Sequence, residues 1–187
     1  MMFHANTVRM IDYWTSRAPA GRAPSRGSIQ PGDFRQIMSQ VFILGRTEKG
    51  VYPLRLVGGF VADLHGLDLR GVNGLHLWSE RDRLRLQTAL EELRHHPEPL
   101  VVTAEVLTGA GVTLPLEVMF APLVSHDGGP DRFIGLYQPL AMVSRLNGQH
   151  VLELSARTLR RAGAANEQPE TEAPRLRLAS VDGWRVA

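Results

Sequence analysis

The stretch Val112–Phe120 constrains the fold more than any other part of the chain. Its even positions are Val112, Leu114, Leu116, Val118 and Phe120; its odd positions are Thr113, Pro115, Glu117 and Met119. A period of two puts the first set on one face of a strand and the mostly polar second set on the other. The apolar face needs a covering layer, and the chain offers one upstream. Residues 60–78 hold short apolar pieces broken by Gly66, Gly71 and Gly74, which suits single helical turns better than one helix. Ser79 then caps a longer helix to about His95, with Leu86, Ala89, Leu90 and Leu93 as its apolar stripe and Pro97 and Pro99 as its stop. The fold class is α+β.

The remaining strands follow from turn chemistry. Val41–Leu44 is an apolar run, a turn falls at Glu48, Lys49 and Gly50, and Tyr52–Val57 leads to Gly58 and Gly59. Leu100–Leu107, Val112–Val124 and Arg132–Leu140 are joined by the Gly109–Gly111 turn and the Ser125–Pro130 loop, which predicts an antiparallel meander. Pro115 points to an edge or a bulge. Before the sheet, residues 7–18 read as an amphipathic helix with Val8, Ile11 and Trp14 at helical spacing and Met10 and Tyr13 beside them, stopped by Pro19. Residues 19–33 read as loop, and Asp33 caps a short helix carrying Phe34, Ile37 and Met38. Beyond the sheet, 145–162 reads as a weakly amphipathic helix and 163–174 as a flexible linker. The last stretch, 175–187, regains Leu176, Leu178 and Val181, as a docked strand or as a motif for a partner. Three parts result: a helix and wrapping loop over 1–40, the main domain over 41–144, and a helix, linker and tail over 145–187.

Composition narrows the function. The chain of 187 residues has a net charge of +2, and Lys49 is its one lysine. Its arginines are scattered rather than gathered in a patch, which argues against nucleic acid as a partner. Without cysteine there are no disulfides, thiolate nucleophiles, iron–sulfur clusters, cysteine zinc sites or flavin–cysteine photoadducts. Neither a leader-like start nor an apolar run of membrane-spanning length is visible, so the expectation is a cytoplasmic protein without a membrane partner.

Several marks occur together: Tyr13 and Trp14; the segment GRAPSRGSIQPGDF with Arg22, Pro24, Ser25, Arg26 and Pro31; the strand VFIL; and the run YPLRLVGGFVADLHGLDLRG, with Arg55, Leu56, Gly58, Gly66, Leu69 and Gly71. Leu77, Trp78 and Ser79 then open the long helix. In this order and spacing, over roughly residues 8–140, the sequence resembles a family of short single-domain bacterial, mainly alphaproteobacterial, PAS proteins. The resemblance implies a PAS fold: a five-stranded antiparallel sheet in the order 2-1-5-4-3, with helices on one face. It implies a regulatory role and carries no catalytic motif.

Ligands of such a fold sit between sheet and helices. The lining expected here is Phe42, Phe60, Trp78, Leu90, Leu116, Val118, Phe120 and Tyr137, with Leu56, Leu64 and Leu75 and the polar candidates Arg55, Asn73, His76 and Gln138. The same apolar residues fill a core equally well, and an apolar stripe needs no ligand to explain it. His65 and His76 lack the partners of a metal site, and His95 and His96 suit a helix C-terminus, so haem or metal is not favoured. Glu91, Glu92, Glu105 and Glu117 form no catalytic pair. Ser25 and Ser28 with Arg22 and Arg26 have the groups to hold an anion, though a loop wrapping the domain explains them more simply. No nucleophile–base pair or dinucleotide fingerprint is present.

The reading is therefore a non-enzymatic sensory and regulatory protein acting through ligand-modulated contact with an unidentified signalling partner. A ligand-free adaptor or dimerisation module, and an enzyme using the same pocket, are the alternatives. The ligand and any cofactor are undefined. Val8, Ile11, Tyr13 and Trp14 are the candidate surface of a homodimer, with the helix covering its own sheet as the competing arrangement.

Overall fold

The computed structural model describes residues 2–125 and 131–163. The tail 175–187, nearly all of the 163–174 linker and most of the Ser125–Pro130 loop lie outside the described residues. Helix α1 spans Ala5–Arg17, and a kinked 3-10 stretch covers Pro31–Gln40. The sheet contains β1 (Val41–Gly45), β2 (Leu54–Val57), β3 (Leu100–Thr108), β4 (Thr113–Leu123), β5 (Arg132–Pro139) and β6 (Val151–Arg161). Helix α2 (Gly59–His65), a 3-10 turn (Gly74–Leu77) and α3 (Glu80–His95) lie between β2 and β3.

The strand order is β2-β1-β5-β4-β3-β6, every neighbouring pair antiparallel. The first five strands follow the expected order, and a sixth is added at the β3 edge. That strand corrects the reading of 145–162 as a helix. Only a short 3-10 turn, Val143–Leu146, is helical there. Val151–Arg161 pairs with β3 from Thr108 to Leu100, with irregularities at Thr103/Ala104 and Leu107/Thr108. Its outer edge is also held. Ser79 donates its backbone N–H to Leu154 O at 2.8 Å, and the Asp82 carboxylate accepts from Ala156 N at 2.9 Å and from Ser79 Oγ at 2.6 Å. At the opposite edge Leu54 N donates to Val72 O at 2.9 Å, and Gly71 N donates to Leu54 O at 2.8 Å. The connection from α2 to α3 thus hydrogen-bonds both edges of the sheet. Pro115 fits because β5 runs out beside it: Leu116 pairs with Pro139, and Leu140 N donates to Pro115 O at 2.9 Å.

Two cores result. The inner one gathers Leu114, Leu116, Val118 and Phe120 of β4 with Leu86, Leu90 and Leu93 of α3, as the period-two pattern requires. The outer one holds Val101, Met119, Ala121, Leu123, Ile134 and Leu136 against Met10 and Trp14 of α1 and Phe34 and Ile37 of the 3-10 stretch. The odd face of β4 is therefore wet only at its start. Glu117 and Met119 are buried because α1 lies over them. Fully burying such apolar side chains contributes about 1.5–3 kcal/mol each.

Candidate functional site

The space between sheet and helices is aromatic. Phe42 of β1 meets Phe120 at 5.6 Å and Tyr137 at 5.4 Å between ring centroids, both edge-on, and Trp78 stands 6.4 Å from Phe120. Edge-on pairs at this spacing are favourable contacts between the negative face of one ring and the positive rim of the next. Phe42 reaches them because its register partner is Gly135: a Cβ on that residue would fall inside the Phe42 ring. Leu90, Leu116 and Val118 belong to the same core and Phe60 packs against it half-buried, so the apolar part of the expected lining comes together. Of the other apolar residues, Leu64 and Leu75 join it, whereas Leu56 is 40% exposed.

The four polar candidates do not converge. Arg55 and His76 are exposed. Asn73 is a backbone staple, accepting from Tyr52 N at 3.0 Å and Leu75 N at 3.2 Å and donating to Gly50 O at 2.8 Å. Gln138 lies on the other face, where Asn6 of α1 donates to its side-chain oxygen at 2.9 Å. On β5 that face belongs to the even positions, Ile134 and Leu136, while Phe133 and Tyr137 face the inner core.

The polar group that does reach the inner core is His65, at the C-terminal end of α2. It is 4% exposed, its ring centroid lies 6.0 Å from that of Tyr137, and its Nε2 is shielded without a hydrogen-bond partner among the described residues. Burial alone pulls its pKa down from 6.5 to about 4, so the imidazole is neutral at pH 7. Burial likewise raises the pKa of the Tyr137 hydroxyl, which stays protonated. The signal for His65 was its spacing. It lies four residues after Val61 and one after Leu64, on the buried side of a short helix.

Sequence reasoning also missed an anchor on the outer face. The His4 backbone N–H points at both carboxylate oxygens of Glu117, at 3.1 and 3.3 Å. A buried carboxylate at the start of α1 suits the positive end of the helix dipole. Trp14 donates from Nε1 to Pro122 O at 2.8 Å and is 4% exposed, while Val8, Ile11 and Tyr13 remain half-buried. In this chain, α1 covers its own sheet.

Glu91 of α3 is an ion-paired carboxylate. It accepts from Arg46 Nε at 2.7 Å, from Arg94 at 2.9 Å and from the Tyr52 hydroxyl. Burial would raise its pKa, but the three donors outweigh burial and hold the carboxyl at about 2. Among the described residues no three His, Asp or Glu side chains come together to hold a metal. In the wrapping loop the backbone does the tying, with Arg26 N donating to Val124 O at 2.9 Å, while Arg22 and Arg26 are exposed. An open cleft of about 620 Å³ beside α2 is lined by Ala62, Asp63, Gly66, Arg70 and His150, among others. No helix among the described residues is long and apolar enough to cross a membrane.

A family model described as "PAS domain" matches residues 2–138. No curated protein matches the chain. Among solved structures, the chain is similar to the Rhodobacter sphaeroides LOV protein at 12% identity and TM-score 0.45, over 63% of this chain and 72% of that one. It is similar to an RNA-binding light-oxygen-voltage receptor at 15% identity and TM-score 0.47, over 70% and 40% of the two chains. It is also similar to the Erythrobacter litoralis EL346 blue-light activated histidine kinase at 17% identity and TM-score 0.44, over 60% and 37%.

Proposed function

Because the chain belongs to the PAS domain family, we propose that it is a non-enzymatic sensory and regulatory protein of bacterial signalling. In this reading a small molecule taken up between sheet and helices alters contact with a partner protein, in the cytoplasm and as a homodimer. The observation that carries it is the buried His65 Nε2, a polar atom without a partner among the described residues in an otherwise apolar core. A shielded polar group left unpaired costs about 1–3 kcal/mol, which a ligand hydrogen-bonded to it would recover. Tyr137 and Gln138 supply a route outward. They are consecutive on β5, one against His65 and the other bonded to Asn6 of α1. The missing cysteine keeps thiol-adduct photochemistry out of this reading.

A second reading, the ligand-free adaptor, is favoured by the ring contacts that fill the space over Gly135. Native mass spectrometry of the protein isolated from its own host separates the two and reports the oligomer as well. A retained small molecule of defined mass is the expected result. A bare chain from cells grown under varied conditions would favour the adaptor, and a bare monomer would remove the homodimer too.

A further inference from the structure

We propose that the packed interior beside His65 and Tyr137 opens to take a small, flat, uncharged molecule bearing a hydroxyl group that hydrogen-bonds His65 Nε2. The inference rests on the ligand-modulated reading above and names the chemistry of its ligand.

The class follows from what the chamber offers. Phe42, Phe120 and Trp78 supply ring faces and edges, which suit a flat apolar body. A neutral imidazole presents Nε2 as an acceptor in one tautomer and a donor in the other, and a hydroxyl answers either. Charge is unwelcome. Arg46 and Arg94 are both bonded to Glu91, and the Asp82 carboxylate is bonded to Ser79 and Ala156. A charged ligand would be buried without a counter-ion.

Room for the ligand has to come from movement, because the rings touch. Helix α2 is the wall that borders the open cleft. It is seven residues long, between Gly58 and a left-handed Gly66, and its outer side faces the cleft of about 620 Å³. Its C-terminal end is held by His150, whose ring packs on Gly66 and whose Nδ1 lies 3.2 Å from Asp63 O. Uptake of a ligand is thereby tied to displacement of α2, and the apparent affinity falls with the fraction of molecules in which α2 is displaced.

The test uses the full chain at pH 7 and three probes of one shape: phenol, toluene and benzoate. Binding is followed by NMR of the His65 ring and, in the variants, of the Tyr137 ring. Phenol is expected to bind about fivefold more tightly than toluene, the worth of one hydrogen bond, and benzoate not to bind. His65→Leu keeps the chamber apolar and should reverse the phenol–toluene order. His150→Ala should tighten both probes by the same factor. Equal binding of phenol and toluene to the wild type, as when a bound water already serves Nε2, overturns the proposal. A phenol preference that survives in His65→Leu overturns it as well. If no probe binds but the host-isolated protein retains a charged or hydroxyl-free ligand, this ligand class is wrong and the ligand-modulated reading stands. If no probe binds and no ligand is retained, both fall.

Discussion

Phe42 and Gly135 are register partners on adjacent strands, and the ring of the first occupies the place that a side chain on the second would take. Gly135→Ala should therefore push Phe42 off both Phe120 and Tyr137. Overpacking of this kind costs about 1–3 kcal/mol. Chemical denaturation gives the loss, and the near-ultraviolet circular dichroism of the ring cluster should change with it. An unchanged midpoint would mean that the ring has free space to move into.

Trp78 is 3% exposed and packs against Phe120. Its replacement by Ala should cost about 3–5 kcal/mol, a large part of the roughly 5–15 kcal/mol that holds a domain together. Trp14 is buried as deeply but in the outer core, so Trp14→Ala should cost a similar amount. Both losses should be independent of protein concentration, because both side chains pack within one chain. Deleting residues 1–18 should lower stability in the same way. A Trp14→Ala loss that grows on dilution would show that α1 docks on a second copy instead.

The pH dependence carries two separable signatures. His65 titrates at about 4 in the folded chain and near 6.5 when exposed. Its folded-state pKa is the lower one, so stability falls as pH drops from about 6.5 to about 4 and this contribution levels off below. The total is about 3 kcal/mol. His65→Leu should remove that phase. Glu91 acts lower: its carboxyl, held at about 2, contributes stability that is lost only between about 4.5 and 2. Stability measured from pH 7 to pH 4 in wild type and His65→Leu decides the matter, and parallel curves would mean that the imidazole is not shielded.

Asp82 joins the start of α3 to β6. Asp82→Ala removes an acceptor shared by Ser79 Oγ and Ala156 N. Hydrogen bonds to a charged group contribute about 1.5–3 kcal/mol, and the Ala156 amide should exchange with solvent far faster in the variant. Retained protection at Ala156 would show that pairing with β3 alone holds the strand.

Much of this fold was legible in the sequence because it is written in local pattern. The alternation of β4, the stripe of α3 and the glycine-bearing turns each belong to one element. Strand β6 was not legible, because Leu152, Glu153, Leu154, Ala156 and Arg157 are ordinary helix formers. What makes them a strand is distant: the β3 ladder and the Asp82 carboxylate. Asn147 and Gly148, both left-handed, were the turn signal that could have flagged it. The site divides in the same way. Its apolar residues were legible as buried, whereas the polar candidates Gln138 and Arg55 lie against α1 and at the surface. The outer core explains the error. The unalternating burial along Phe133–Gln138 means that both faces of β5 are covered, so no simple pattern tells which face a polar residue takes.

The stretch between α2 and α3 meets the sheet at Leu54 on one side and at Leu154 on the other. An open sheet normally presents two rows of unpaired amides and carbonyls, each a template for another chain. Here one piece of the same molecule fills part of both rows. A neighbour would have to displace that piece before it could add a strand, and doing so would also uncover the inner core. Cross-β growth from the native state is thus hindered at these positions. Resistance to aggregation should fail when the connection loosens, well before the sheet itself unfolds.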